Sequence, residues 1–233
     1  MDIETYAQSI HFYADDVPPF LIRTLGTRQW TSFFDVGCGD GSLLNALKIR
    51  KILNSDKKVF AADLSQTRIE RVKAIDSSYQ CFVSPADDLK AIETGSIDFV
   101  VSTQVIEHVP DDEKMAAELA RVLKPGGTLF LSTVYKKWYG WYFYRCNGKW
   151  TLDPTHLREY ADETRLYEFM KKNGLQLESQ EKHLFKFPAV DFVLKRIGVG
   201  TDVYKHRLLR RVRKLQVPIV GYYDWQMVWK KPR

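Results

Sequence analysis

The sequence predicts an α/β fold: a doubly wound, mostly parallel seven-stranded sheet with helices on both faces, carrying an aromatic and basic cap inserted late in the chain. Three observations predict it. Short apolar runs alternate with helix-periodic segments over residues 31–134, and strands separated by helical crossovers run parallel. The first run ends in a glycine loop that opens a helix, which is where such a sheet meets a ligand. The composition, 45% hydrophobic and 27% charged with 13 Gly and 9 Pro, is ordinary for a globular chain and excludes collagen, coiled coil and disorder.

Thr31–Val36 (TSFFDV) is apolar and aromatic-rich, hence a buried strand. Ser42–Ile52 has apolar residues at helical spacing and gathers Lys and Arg toward its end, where the helix dipole favours cations. Lys58–Ala62 is the second strand, and Gln66–Ala74 is a helix with Ser65 as its N-cap. Tyr79–Val83 and Ile97–Thr103 are the next two strands. Asp111–Leu123 is a helix with an acidic first turn, stopped by Lys124-Pro125-Gly126-Gly127, and Thr128–Val134 is the fifth strand. Tyr135–Trp150 then holds eight aromatics in sixteen residues, too irregular for clean alternation, with an Asn-Gly turn signal near its end. Asp162–Asn173 is an amphipathic helix with Gly174 as its C′ residue. Leu175–Gln180 and Tyr222–Trp229 complete the strands. Phe187–Ile197 and Val203–Leu215 read as helices, the second with Leu208, Leu209, Val212 and Leu215 opposing a row of cations.

A chain of 233 residues can bury roughly 70% of its unfolded surface, enough for one sizeable core. One domain over residues 1–233 is expected, with a core at about 31–134, a lid at about 135–160 and a basic helical insertion at about 183–220. No apolar stretch of about 20 residues offers a membrane-spanning helix. The opening MDIETYAQSIHFYADD is acidic and lacks an apolar run, so no secretory leader is expected. Cys38, Cys81 and Cys146 lie far apart, matching neither a disulfide framework nor a zinc cluster and pointing to a reducing cytoplasm. The net charge of +6 is uneven: ten Lys/Arg face two Asp from Lys182 to Lys214. Such a run is either a solvated surface or a face for phosphate, nucleic acid or an acidic membrane.

The sharpest local signal is Asp35-Val36-Gly37-Cys38-Gly39-Asp40-Gly41-Ser42, between a strand and a helix. A dinucleotide fingerprint would need Gly at position 42; instead the loop is G-x-G-x-G preceded by an acid, which suits a cation better than a pyrophosphate. Asp63 lies 22 residues beyond Gly41 at the end of the second strand, where a carboxylate can accept from both hydroxyls of a ribose.

With these pieces the chain resembles the class I S-adenosylmethionine-dependent methyltransferases, a Rossmann-like family, in the broad group that includes quinone-biosynthesis and other small-molecule enzymes. The matching stretches are DVGCGDG (35–41), Asp63, IDFVVSTQVIEHV (97–109) and RVLKPGGTLFLST (121–133), in the family's order, and THLREY (155–160) resembles its H-x-R-E-Y/F stretch. The resemblance implies S-adenosyl-L-methionine as cofactor. It implies that Gly37, Cys38, Gly39 and Gly41 border the methionine part, that Asp35 helps hold its ammonium end, and that Asp63 and Leu64 lie at the ribose. Ala86 and Asp87 fall where relatives contact adenine, although Pro85 replaces the usual acid before Ala86. Gln104 would lie beside the methionine moiety. Some relatives bind a divalent ion through E-x-x-E-H after the fourth strand; here Gln104 replaces the first Glu, leaving Glu107 and His108, too few for an octahedral site, so no metal is expected.

Transfer to a hydroxyl needs an aligned acceptor and a base of near-neutral pKa, most often His. Of the five histidines, His108 leaves the fourth strand's carboxyl edge and His156 follows the aromatic insert, so these two are the candidate catalytic residues. The insert is either an apolar cover for a sheet edge or a lid over the acceptor. The function this supports is O-methylation of a small-molecule, sugar or lipid-linked glycan (glycolipid) acceptor, in the cytoplasm and peripherally in contact with an anionic membrane; nucleic acid is not an expected partner. The alternative is an RNA-directed methyltransferase using the basic 182–214 face, against which stand the absence of an RNA-binding module and of an amino-methylating motif. A scaffold that binds the cofactor without catalysis is the non-enzymatic reading.

Overall fold

A computed structural model describes residues 17–142, 144–146, 148–153, 155–188 and 215–233. Five strands, β1 (Ser32–Val36), β2 (Lys58–Asp63), β3 (Gln80–Val83), β4 (Ile97–Thr103) and β5 (Leu123–Lys136), run parallel. A small hairpin, β6 (Tyr144–Cys146) and β7 (Lys149–Thr151), stands apart, and β8 (Gln176–Pro188) and β9 (Gln216–Lys230) return antiparallel to each other. The main sheet has the order β3-β2-β1-β4-β5-β9-β8, so the seven-stranded, mostly parallel sheet stands as expected. Because β1 is flanked by β2 and β4, the loops leaving β1 and β4 diverge and open a crevice at the carboxyl edge.

Helices α1 (Pro19–Gly26), α2 (Ser42–Ile49) and α3 (Gln66–Ile75) share one apolar cluster with Phe33, Phe99 and Phe130, whereas α4 (Asp112–Val122) and α5 (Thr164–Lys172) share the other with Phe34, Val100 and Leu131. Alternation along β1 sends Phe33 to one face and Phe34 to the other, and all five residues of that strand are buried. The predicted cap at Ser65 is in place, and Asp111, read as the first helical residue, is the N-cap of α4. Ser65 Oγ accepts from Arg68 N at 3.2 Å, and Asp111 Oδ1 accepts from Lys114 N at 2.9 Å. In β9, Trp225 is fully buried among the rings of Tyr135, Tyr160 and Tyr167, with centroids 5.5, 6.3 and 5.8 Å away. These contacts fasten the late strands to the half that carries the glycine loop.

Three expectations change. Helix α1 was not read from the sequence; its Pro19 needs no helical partner for a missing N–H, and Phe20, Leu21 and Leu25 bury its inner face. The turn expected at Lys124–Gly127 is built into β5, where Leu123 pairs with Ile97 before a register shift lets Thr128 pair with Phe99. The basic insertion over 183–220 is not helical at its described ends. Residues 183–188 and 216–220 extend β8 and β9, with Phe187 opposite Val217 and Pro188 opposite Gln216, so the helix expected from Phe187 does not begin there. A ladder between residues some thirty positions apart outweighs a local apolar spacing. The remainder of the predicted helices Phe187–Ile197 and Val203–Leu215 lies outside the described residues.

Candidate functional site

The glycine loop is held down by Ala62: its carbonyl accepts from Gly37 N at 2.8 Å and from Cys38 N at 3.0 Å. All three glycines have positive φ, but they differ in what surrounds them. A Cβ on Gly37 would lie 2.3 Å from Val105 Cγ2, and one on Gly41 would lie 2.6 Å from Ile75 Cδ1. Gly37 therefore lets the loop touch the segment after β4, and Gly41 lets it touch α3. A Cβ on Gly39 would meet nothing within 4 Å, so this is the glycine that faces open space.

Asp35 lies beneath the loop, buried, with Oδ2 unpartnered. Burial, and then the nearby Asp63 charge, push its carboxyl up to about 7. A buried acid with an empty oxygen is a receptor for a cation. Cys38 is buried in the same place, and burial followed by the charges of Asp35 and Asp63 raises its thiol, which stays protonated and inert.

Asp63 is more occupied than its place at a strand end suggests. Oδ2 accepts from Gly39 N at 2.9 Å, Oδ1 accepts from Ser65 N at 3.0 Å, and Arg68 Nη1 stands 3.6 Å from Oδ2. It ties the glycine loop to the start of α3. Beside it Leu64 is 50% exposed, an apolar surface in the crevice. Ala86 is buried and Asp87 half-buried; Ser84 N donates to Asp63 O at 3.0 Å and so brings the segment that bears them to the same edge.

At the end of β4, Gln104 has φ 55°, unusual for a residue with a side chain. Its amide donates to Asp224 Oδ1 at 2.9 Å and to Ser132 Oγ at 3.4 Å, across to β5 and β9. The side chain predicted to accompany the methionine moiety is thus committed within the sheet. Asp224, which sequence reasoning missed, is raised by burial and also accepts from Gln226.

The fold brings the two candidate histidines together, their ring centroids 4.8 Å apart. Arg158 makes this happen: its guanidinium donates to the carbonyls of Ile106, Val109 and Pro110, while Leu157 N donates to Glu107 O at 2.9 Å. Tyr160 and Arg165 anchor the same segment to buried Asp112 at the start of α4. THLREY therefore lies against the loop after β4, with Arg158 and Tyr160 structural and His156 pointed at His108.

Hydrogen bonding fixes both imidazoles. Thr155 Oγ1 donates to Asp153 Oδ1 at 2.6 Å, so toward His108 it acts as an acceptor; with Thr155 O it receives the Nδ1–H of His108, at 3.1 and 3.3 Å. Nε2 of His108 is left as a free acceptor. His156 Nδ1–H donates to Glu159 Oε1 at 3.0 Å, again leaving Nε2 free. Glu159 is held in turn by Leu152 N at 2.7 Å and Lys136 Nζ at 3.5 Å. Burial and then His156 lower the pKa of half-buried His108, so its ring is neutral near pH 7. His183 is exposed against Glu181, and His11 and His206 lie outside the described residues.

Buried Glu107 accepts from Thr133 Oγ1 at 3.0 Å through Oε2, and its Oε1 has no partner among the described residues. Burial pushes this carboxyl up to about 7. Donor atoms of Glu107, His108 and His156 all lie within 4.8 Å of one another, so the two donors counted along the sequence become three in space. His156 arrives from 48 residues away, and no spacing rule reveals it.

The aromatic insert divides between its two readings. Tyr135 is buried on Trp225, and Tyr142 packs on Tyr222, whereas Trp138, Tyr139, Trp141 and Tyr144 face outward. In the β6–β7 hairpin Cys146 pairs with Lys149, and Asn147 of the Asn-Gly signal lies outside the described residues. No helix among the described residues is long and apolar enough to cross a membrane.

Comparison with known proteins agrees with this geometry. A family described as "Methyltransferase domain" matches residues 34–131. The chain is 39% identical over 104 residues to a ubiquinone biosynthesis O-methyltransferase of Xanthomonas oryzae pv. oryzae (strain PXO99A), covering 43% of this chain and 41% of that relative. It is 30% identical over 164 residues to the enzyme of that name from Xanthomonas axonopodis pv. citri, covering 65% of each. The match thus spans about two fifths of the length of the first of these relatives. Among solved structures, the YcgJ protein of Bacillus subtilis has a TM-score of 0.63 at 17% identity, over 92% of this chain and 97% of that one. A SAM-dependent methyltransferase from Methanosarcina mazei has a TM-score of 0.63 at 16% identity, over 93% and 99%. The glycine loop and the acid beneath it lie within the matched residues 34–131, about two fifths of this chain, and over that stretch the chain is similar to the methyltransferases.

Proposed function

We propose that this chain is an S-adenosylmethionine-dependent methyltransferase that methylates a hydroxyl oxygen of a small-molecule, sugar or lipid-linked glycan acceptor, with His108 taking the hydroxyl proton. The observation that carries the reading is the fixed tautomer of His108, whose Nδ1–H is held by Thr155 and whose Nε2 has no partner among the described residues. The chain's residues fit the cofactor: Asp35 offers an unpartnered buried oxygen to an ammonium, Gly39 leaves open space, and Leu64 offers an apolar surface next to Asp63. S-adenosylmethionine, when bound, supplies a methyl group already activated on a sulfonium.

The remaining work falls to the protein. Val105 against Gly37 sets the loop bearing His108 directly on the cofactor loop, and Arg68, which pairs with Asp63, is near enough to help keep His108 neutral. Neutral His108 can accept a proton at Nε2 as the hydroxyl loses it. His156, oriented by Glu159, packs against the ring and fixes its position. The O-methyltransferase relatives favour hydroxyl over amine chemistry.

The test is transfer of labelled methyl from S-adenosylmethionine to matched hydroxyl- and amine-bearing acceptors, with and without a chelator. Label on the hydroxyl compounds, unaffected by chelation, is expected. Label on the amines alone refutes hydroxyl chemistry, and loss on chelation restored by a divalent ion refutes the metal-free reading.

A further inference from the structure

Beside the site, β8 and β9 overhang the sheet. β5 ends with Lys136 opposite Tyr222, and from there outward β9 pairs with β8 alone, Lys186 lying opposite Pro218. The aromatic insert packs against this overhang: Lys137 N donates to Gly221 O at 2.8 Å, and a Cβ on Gly221 would lie 2.5 Å from Gly140 Cα. Insert and overhang are therefore one surface, at the same carboxyl edge as the crevice.

That surface shows large apolar side chains to water. Trp138 is 91% exposed, Trp141 48%, Val217 49% and Val220 62%, with Tyr139 and Tyr144 beside them. Isolated exposed apolar residues are normal; six of them on two segments packed against each other are not. The charge around them has one sign: residues 135–150 contain four Lys/Arg and no Asp or Glu, and neither Lys137 nor Lys186 forms an ion pair among the described residues. By sequence alone, residues 189–214, which lie outside the described residues, carry eight Lys/Arg and two Asp.

Trp, Tyr and Lys together are the residues that settle at a water–lipid boundary, where the ring bodies enter the apolar layer and the polar tips and ammonium groups remain at the headgroups. Base stacking would use the rings but not Val217 and Val220. A second copy of the chain would set this positive rim against another like it. We propose that the Trp138–Tyr144 rim and the β8–β9 overhang dock on the surface of an anionic bilayer, turning the crevice toward the membrane.

The experiment is co-sedimentation of the full chain with vesicles of phosphatidylcholine alone or mixed with phosphatidylglycerol, at low and high salt. The variants are Trp138→Glu and Lys137→Glu/Lys186→Glu, with melting temperature and S-adenosylmethionine affinity measured in parallel to show that fold and cofactor site are intact. Binding to the phosphatidylglycerol vesicles alone, weakened by salt and by about tenfold or more in each variant, is expected. The proposal is overturned if the wild type ignores anionic vesicles, or if both variants bind as well as it does. It is equally overturned if an RNA oligonucleotide competes the vesicles away, or if Trp138→Glu converts a dimer to a monomer.

Discussion

Asp63 gives the most quantitative test of how the site is built. A carboxylate in the crevice whose only task is to hold a ribose could be removed without harm to the fold. Here the carboxylate also accepts from Gly39 N at 2.9 Å and Ser65 N at 3.0 Å, and balances Arg68. Hydrogen bonds to a charged acceptor contribute about 1.5–3 kcal/mol each, and the donors left behind are poorly hydrated. Allowing for a water that enters the vacated space, Asp63→Ala should cost about 2–4 kcal/mol. At about 2–4 °C per kcal/mol for a chain of this size, the melting point should fall by roughly 5–15 °C. Asp63→Asn keeps one acceptor and should cost about half as much, yet it loses the charge offered to the ribose, so S-adenosylmethionine affinity should fall by about 10–100-fold. Thermal denaturation and titration calorimetry on both variants separate the two roles. An unshifted melting point in Asp63→Ala would refute the structural role, and native affinity in Asp63→Asn would refute the ribose role.

Gly39→Val should abolish cofactor binding while leaving the folding stability within about 2 kcal/mol of wild type, because the added Cβ meets nothing in the protein although the backbone there has φ 54°; a variant that folds and binds normally would make the loop a mere turn. His108→Gln should lower turnover by about 10²–10⁴-fold with little change in cofactor affinity. Since the His108 pKa is lowered, the active neutral ring persists below pH 6.5, and the acid limb of the rate profile should lie there and vanish in the variant. Asp35→Asn should change stability with a definite sign. The folded pKa is raised, so the stability linked to this proton is full below about 4 and is lost as pH rises through about 7; the variant should gain on wild type at pH 8 and match it near pH 4, as paired denaturant titrations would reveal.

The parallel half of the fold is legible in the sequence because each strand is a short apolar run closed by its own loop, and two of its helices carry side-chain caps, Ser65 and Asp111. Asp35, the glycines and Asp63 are legible for the same reason, since they lie within one strand–loop–helix–strand unit. What escapes is set by distant pairing. The extension of β8 and β9 to Pro188 and Gln216 depends on each strand finding the other, and local spacing around Phe187 favours a helix. Gln104 is drawn away from the crevice by Asp224, 120 residues later. The histidine pair exists because Arg158 fastens its segment to three carbonyls of the loop after β4, and neither Asp153 nor Glu159 announces itself as an anchor for an imidazole.

Titration of the protein with S-adenosylmethionine near pH 7, in two buffers of different ionisation enthalpy, tests the reading of the site most directly. Asp35 is partly protonated there, because burial holds its carboxyl at about 7, and an ammonium placed against its empty Oδ2 would draw it to the charged form. Saturable binding is predicted, with a heat that depends on the buffer because a fraction of a proton leaves, and with that dependence absent in Asp35→Asn. No saturable binding would contradict the assignment of the crevice to the cofactor, and binding with a buffer-independent heat would remove Asp35 from the ammonium.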